Sequence, residues 1–180
     1  MNKSQIRKRI LKIRKKNSSK NYKINFDDIM EILKKSKISC KSIGGYYPYN
    51  YEVNTIEILK KLEKKKYQIS LPKIKKNFKM DFFPWTTKDP LTINRYGIPE
   101  PISSRIIYPG IFLVPLVAFD KNFNRVGYGG GFYDRYIKKI KKIKKIVTIG
   151  LAYSYQRIDN IPTNRHDIKL DYIITDKKIK

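Results

Sequence analysis

The chain has 180 residues, 41 of them Lys or Arg against 15 Asp or Glu, a net charge of +26, with 41% hydrophobic and 13% aromatic residues. Such a length fits a single domain, here taken as 1–180, that buries roughly 70% of its unfolded surface, and so apolar a chain is not a disordered basic tail. The only cysteine is Cys40 and the only histidine His166, which excludes a disulfide framework and Cys- or His-rich metal clusters and fits a reducing, cytoplasmic setting.

In chain order, Ile6, Ile10, Leu11 and Ile13 mark one face of a first helix that starts at Asn2 or Ser4. Lys3 and Arg7, four apart, project together from it. A second helix is predicted from Phe26 to Lys35, with Asn25 as N-cap, Asp27 and Asp28 in the first turn and lysines at the end, matching the helix dipole. Lys37 to Tyr47 reads as a strand ending in Gly44-Gly45. Thr55 to Lys66 reads as a third helix and Tyr67 to Leu71 as a short strand. Met80 to Pro101, punctuated by four prolines and Gly97, reads as a strand and a long loop. Ile111 to Val114 is a buried central strand, Gly131 to Lys144 a helix, and Ile146 to Ala152 and Leu170 to Thr175 the last two strands. Strands alternate with helices, so the fold class is α/β with a mostly parallel sheet and helices on both faces. The longest apolar run, Ile111 to Phe119, is about half the ~20 residues a bilayer demands, and no apolar signal core follows the basic N-terminus. No membrane segment is expected.

The charge invites a nucleic-acid reading. However, the cations are mostly Lys, and Lys, Ile, Asn and Tyr share A/T-rich codons. Within Lys60 to Lys66 and Lys138 to Lys145 apolar residues recur at helical spacing, as Ile137, Ile140 and Ile143 do. The runs therefore read as solvated helix faces, and no helix-turn-helix, RNP, KH or zinc-finger pattern accompanies them. No specific nucleic-acid partner is expected.

The segment Arg125-Val126-Gly127-Tyr128-Gly129-Gly130-Gly131-Phe132-Tyr133-Asp134-Arg135 lies between the central strand and a predicted helix. Its glycines free the backbone to bring N–H groups close to an anion, and the helix aims its positive end at the same place. Arg125 and Arg135 flank this cradle as phosphate partners and Asp134 as a magnesium ligand. It fits neither the P-loop nor the dinucleotide-binding pattern, and tight turns also need glycine.

The string Gly127 to Tyr136 closely resembles the signature of the 5-formyltetrahydrofolate cyclo-ligases, or methenyltetrahydrofolate synthetases. Lys3-Ser4-Gln5-Ile6-Arg7 resembles that family's N-terminal nucleotide segment, with Ile6 for the commoner Leu. Glu52-Val53-Asn54-Thr55 resembles its substrate segment, with Asn54 for Asp. Tyr96-Gly97-Ile98-Pro99-Glu100-Pro101, Val114 to Asp120, and His166-Asp167-Ile168-Lys169-Leu170-Asp171 match further stretches, so the resemblance runs along the whole chain. Phe132 stands where Tyr is common.

The resemblance implies a fold similar to sugar-phosphate isomerases and CoA-transferases, and conversion of 5-formyltetrahydrofolate to 5,10-methenyltetrahydrofolate with MgATP as the energy source. It implies that Lys3, Ser4, Gln5, Ile6 and Arg7 meet ATP together with Arg125, Val126, Gly127, Tyr128, Gly129, Gly130, Gly131, Phe132 and Tyr133. The stretch Tyr128 to Phe132, with Arg7, Tyr47, Glu52 and Tyr96, would form the folate site, Glu52 gripping the pterin edge. Asp134 and Asp171 would hold Mg²⁺, with Arg125 and Asp134 central to catalysis. A monomer is expected. Each assignment has a plain structural alternative: solvated helix charges for Lys3 and Arg7, a helix cap for Glu52, a helix-dipole partner for Asp134, a turn residue for Asp171. His166 reads as structural rather than a base, and Cys40 as packing on a core strand.

Overall fold

The computed structural model describes residues 1–36 and 38–177; Lys37, where the first sequence-read strand begins, and the C-terminal three residues lie outside them. Helix α1 (Lys3–Lys16) starts at Asn2, whose side chain accepts from Gln5 N while Gln5 accepts from Asn2 N, a reciprocal cap. Helix α2 (Phe26–Lys35) is capped by Asn25, and α3 (Ile56–Lys64) follows Thr55. Helix α4 spans Phe132–Lys141.

The main sheet joins β1 (Ser42–Gly44), β2 (Gln68–Ile74), β3 (Met80–Pro84), β6 (Ile111–Pro115), β9 (Val147–Leu151) and β10 (Tyr172–Ile174) in the order β10-β9-β6-β1-β2-β3. All pairs are parallel except β2 with β3. Parallel central strands must be apolar on both sides, and neighbours along β6 go to opposite layers. Ile111 and Leu113 join the layer of α2 and α3 (Ile29, Ile32, Leu59, Leu62), whereas Phe112 and Val114 join that of α4 (Tyr136, Ile137, Ile140). The predicted α/β sheet with helices on both faces is therefore the observed one. Burying side chains such as Leu59 in one layer and Ile137 in the other contributes about 1.5–3 kcal/mol apiece.

Two smaller ribbons were not separated in the sequence. Within Met80 to Pro101, β4 (Leu91–Ile93) and β5 (Pro99–Pro101) pair antiparallel, where a loop was expected. A two-stranded ribbon tolerates proline at alternate positions whose N–H is not needed, and Asn94 Oδ1 holds the turn by accepting from Tyr96 N and Ile98 N. Further on, β7 (Ala118–Phe119) pairs with β8 (Arg125–Val126). The buried Asp120 carboxylate organises that hairpin, taking bonds from Asn122 N, Asn124 N, Asn124 Nδ2 and Ile161 N. A short 3-10 turn, Ser154–Gln156, follows β9. No helix among the described residues is long and apolar enough to cross a membrane.

Candidate active site

In this strand order the chain moves outward from β1 in both directions, through β2 to β3 on one side and through β6 to β9 and β10 on the other. A parallel sheet opens a crevice at the carboxyl ends of the two strands where the order reverses. Here Tyr46 and Tyr47 after β1, and Pro115 ending β6, line a cleft of about 1060 Å³. That lies at the upper end of the volumes of small-molecule sites, about 300–1,000 Å³.

One side of the cleft is built by α1 and the glycine segment. Arg7 Nε donates to Gly127 O at 2.8 Å, and the Arg7 guanidinium lies beside Gly129, whose φ of +107° is a backbone conformation that favours glycine. Gly131, with φ +62°, turns the chain into α4, so the loop is followed directly by a helix N-terminus. Lys3 Nζ pairs with Asp167 Oδ2. Neither Lys3 nor Arg7 is a free solvated charge, and both face the cleft as expected. The structure does not bring Ser4, Gln5 or Ile6 there. Gln5 is occupied in the helix cap, Ser4 is exposed, and Ile6 is buried in a small core with Val117, Ala118 and Val126.

The other side is centred on Glu52. Asn50 and Tyr51 sit at φ +47° and +57°, an uncommon conformation for such residues that gathers at functional sites. The turn they make folds Glu52 back so that Tyr49 N donates to its Oε2 at 2.9 Å. Glu52 is not a helix cap, because Asn54 Oδ1 takes Ile56 N and Thr55 is the N-cap residue of α3. It is buried, and Oε1 has no partner among the described residues, nor do the buried hydroxyls of Tyr46 and Tyr133. Burial pushes the Glu52 carboxyl up to about 7, with the Tyr49 N–H and the Arg14 guanidinium opposing the rise. Burial likewise raises the Tyr46, Tyr128 and Tyr133 hydroxyls. Unpaired buried polar atoms cost stability, and Tyr46, Glu52 and Tyr133 all line the cleft, where a ligand's donors and acceptors can meet them. Tyr47 and Tyr96 both line the cleft, Tyr96 exposed at the tip of the β4–β5 ribbon, and Phe132 packs near Phe78 with ring centroids 6.0 Å apart.

Between the two sides, Asp134 Oδ1 accepts from Arg125 Nη2 at 2.9 Å and from Ile168 N at 3.3 Å. Its bonds thus come from outside its own helix, and both are to Oδ1. Arg125 is buried with Nε unpaired. Asp171 is not at the site: it precedes β10, at the opposite end of the parallel strands, where Oδ2 accepts from Thr148 N at 2.8 Å and Thr148 Oγ1 at 2.7 Å. The aspartate of that motif which reaches the cleft is Asp167. Among the described residues no three His, Cys, Asp or Glu side chains converge on a metal-sized space. Mg²⁺ is commonly held by one or two carboxylates plus substrate phosphates, and Asp134, a hard oxygen donor facing the cleft, fits that mode rather than a self-contained cage.

Sequence reasoning missed three participants. Arg14 is buried behind the glycine segment, Asp167 anchors Lys3, and Phe78, at φ +54° on the β2–β3 turn, accepts from Arg135 through its carbonyl. Arg135 is thereby committed to backbone carbonyls of Phe78 and Gly130. His166 is exposed at the cleft mouth, and Cys40 lies half-buried before β1 begins rather than on a core strand.

The model of the 5-formyltetrahydrofolate cyclo-ligase family matches residues 1–176. A 5-formyltetrahydrofolate cyclo-ligase of Haemophilus influenzae is 34% identical over 72% of this chain and 73% of its own length. That of Escherichia coli K12 is 26% identical over 79% and 81%. Among solved structures, the 5,10-methenyltetrahydrofolate synthetase of Aquifex aeolicus superposes with a TM-score of 0.78 at 27% identity, over 100% of this chain and 92% of the other. The synthetase of Mycoplasma pneumoniae gives 0.69 at 27% identity, over 98% and 99%.

Proposed function

The chain belongs to the 5-formyltetrahydrofolate cyclo-ligase family, and from that premise we propose that it closes 5-formyltetrahydrofolate to 5,10-methenyltetrahydrofolate at the expense of MgATP. The observation that carries the proposal is the pairing, within a single cleft, of a glycine segment gripped by Arg7 with a buried glutamate whose Oε1 lacks a partner.

A formamide carbon is a poor electrophile, so its oxygen must first become a leaving group. In the proposed route the formyl oxygen attacks the γ-phosphorus and ADP departs. N10 then adds to the activated carbon, and phosphate and the N10 proton leave as the ring closes. Such chemistry needs alignment and charge neutralisation more than covalent help. Lys3, Arg7 and Arg125 supply positive charge beside the phosphates, and the amides of Gly127 to Gly131 supply fixed donors. Mg²⁺, held by Asp134 together with phosphate oxygens, would neutralise charge on the transferred group. Glu52 accepts two parallel hydrogen bonds from the pterin 2-amino group and N3–H, which fixes the ring that carries the formyl group. Tyr47 and Tyr96 flank the flat substrate. Both ligands are small molecules, and a monomer suffices because every proposed group comes from one chain.

The experiment mixes purified protein with 5-formyltetrahydrofolate, ATP and Mg²⁺ and follows the near-ultraviolet absorbance of the methenyl product. A rise dependent on ATP is expected. No rise above a control lacking ATP defeats the proposal.

A further inference from the structure

Arg14 heads the largest side chains that are fully buried, at 1% exposure, and forms no ion pair with any described carboxylate. Buried guanidinium groups are normally paired. Packing alone does not call for an arginine here. Ile6 and Ile10 define the inward stripe of α1, and position 14 is its next step, where an aliphatic residue would fill the same place at less cost.

What distinguishes Arg14 is what it holds. Nη2 donates to Leu116 O at 2.6 Å, directly after β6 at the reversal point of the sheet. Nη1 donates to Tyr128 Oη at 3.0 Å, in the glycine segment. The Tyr128 hydroxyl in turn donates to Tyr49 O at 3.4 Å, and the two rings meet edge to face at 5.8 Å. Tyr49 N in turn donates to Glu52. Arg7, two turns earlier on the same helix, grips Gly127. A single helix therefore holds adjacent residues of the glycine segment at two points and continues through Tyr128 into the turn that carries Glu52.

We propose that Arg14 is a positioning residue that braces the glycine segment against the Glu52 turn, so that the nucleotide and pterin halves of the cleft are set by one helix and lost together. This inference rests on the function proposed above. The brace also carries a charge. The ionisable groups whose fields reach Glu52 are Arg14 from α1, Tyr46 from the segment after β1, Tyr128 from the glycine segment and Tyr133 from α4, and only Arg14 is charged at neutral pH. Removing it pushes the carboxyl still higher.

The test compares wild type with Arg14→Met and Arg14→Lys in steady-state kinetics for both substrates across pH. Arg14→Met is expected to raise KM for MgATP and for 5-formyltetrahydrofolate together, each about tenfold or more, and to move the acid limb of kcat/KM to higher pH. Lysine keeps the charge without the fork, so Arg14→Lys should return the acid limb towards wild type while both KM values stay raised. A packing role alone would not move the acid limb. KM values within twofold of wild type, a change in only one of them, or an unmoved limb overturns the inference. If Arg14→Met does not fold, Tyr128→Phe breaks the same brace, and an unchanged folate KM in that variant overturns it equally. Absence of turnover in the wild type defeats the proposed function instead, which separates the two failures.

Discussion

At pH 8 a Glu52→Gln variant should be more stable than the wild type and much poorer at binding folate. Glu52 is 8% exposed, and one carboxylate oxygen is unpaired. Burial lifts its pKa from 4.5 to about 7 in the folded protein. At about 1.4 kcal/mol per pH unit, ionising it in the fold costs about 3 kcal/mol more than in the unfolded chain. The folded state holds the proton more tightly, so its stabilising effect is complete below pH 4.5, falls as pH rises through about 7, and is lost above that. Glutamine does not ionise and escapes the loss. Urea or thermal unfolding of both proteins at pH 4.5 and pH 8 reads this directly. The variant should gain up to about 3 kcal/mol at pH 8, or about 6–12 °C in Tm for a domain of this size, and little at the lower pH. Folate KM at pH 8 should rise tenfold or more, because an amide cannot accept both bonds from the pterin edge. A Gln variant no more stable than wild type at pH 8 refutes the reasoning about burial. One with unchanged folate KM refutes the assigned role. Stability gained where binding is lost is the mark of a residue kept strained for function.

Further outcomes follow from the carboxylates nearby. Asp134→Ala should lower kcat/KM for MgATP about 10- to 150-fold, read by varying MgATP at saturating folate, since a charge-assisted contact and a metal donor go together; a variant within twofold would remove Asp134 from the nucleotide site. Asp167→Asn should raise the MgATP KM several-fold by freeing Lys3. Asp171→Asn should leave both KM values within twofold and instead lower thermal stability by about 1 kcal/mol, as its bonds to Thr148 weaken. If Asp171→Asn raised the Mg²⁺ concentration needed for activity tenfold or more, the placement of the metal site at the cleft would be wrong.

Much of the fold was legible because its signals are local. Helix caps at Asn2 and Asn25 and the apolar run of β6 are written in neighbouring residues, and the observed bounds of α2 coincide with those read from the sequence. The β4–β5 ribbon was illegible because its prolines read as loop, and whether they sit at positions that spare a hydrogen bond depends on strand pairing. The two aspartates of His166-Asp167-Ile168-Lys169-Leu170-Asp171 show a different limit. They stand four positions apart, yet Asp167 meets Lys3 at the carboxyl end of the sheet while Asp171 caps the start of β9 at the other. Between them Ile168 and Leu170 pack into the α4 layer, so the chain crosses from one end of the sheet to the other. A motif gives residue types in order; which of them reaches the cleft is decided by that crossing.

Helix α1 shows how a chain with a charge of +26 separates the cations that the fold holds from the rest. At about 100° per residue, positions 3, 7 and 14 fall within about 40° of one another on the helix. These are the three whose charged groups are held by the fold: Lys3 by Asp167, Arg7 by Gly127 O, and Arg14 by Leu116 O and Tyr128. Lys8, Arg9, Lys12, Lys15 and Lys16 lie off that line and are exposed. The periodicity that places Lys3 beside Arg7 therefore also selects Arg14, which no glycine string or acidic motif points to. Composition raises the number of cations everywhere, but on α1 only those on the inward line are drawn out of solvent, and a buried charge without a carboxylate partner is costly to keep. In a lysine-rich chain, the cation that is buried is more informative than any run of cations that is not.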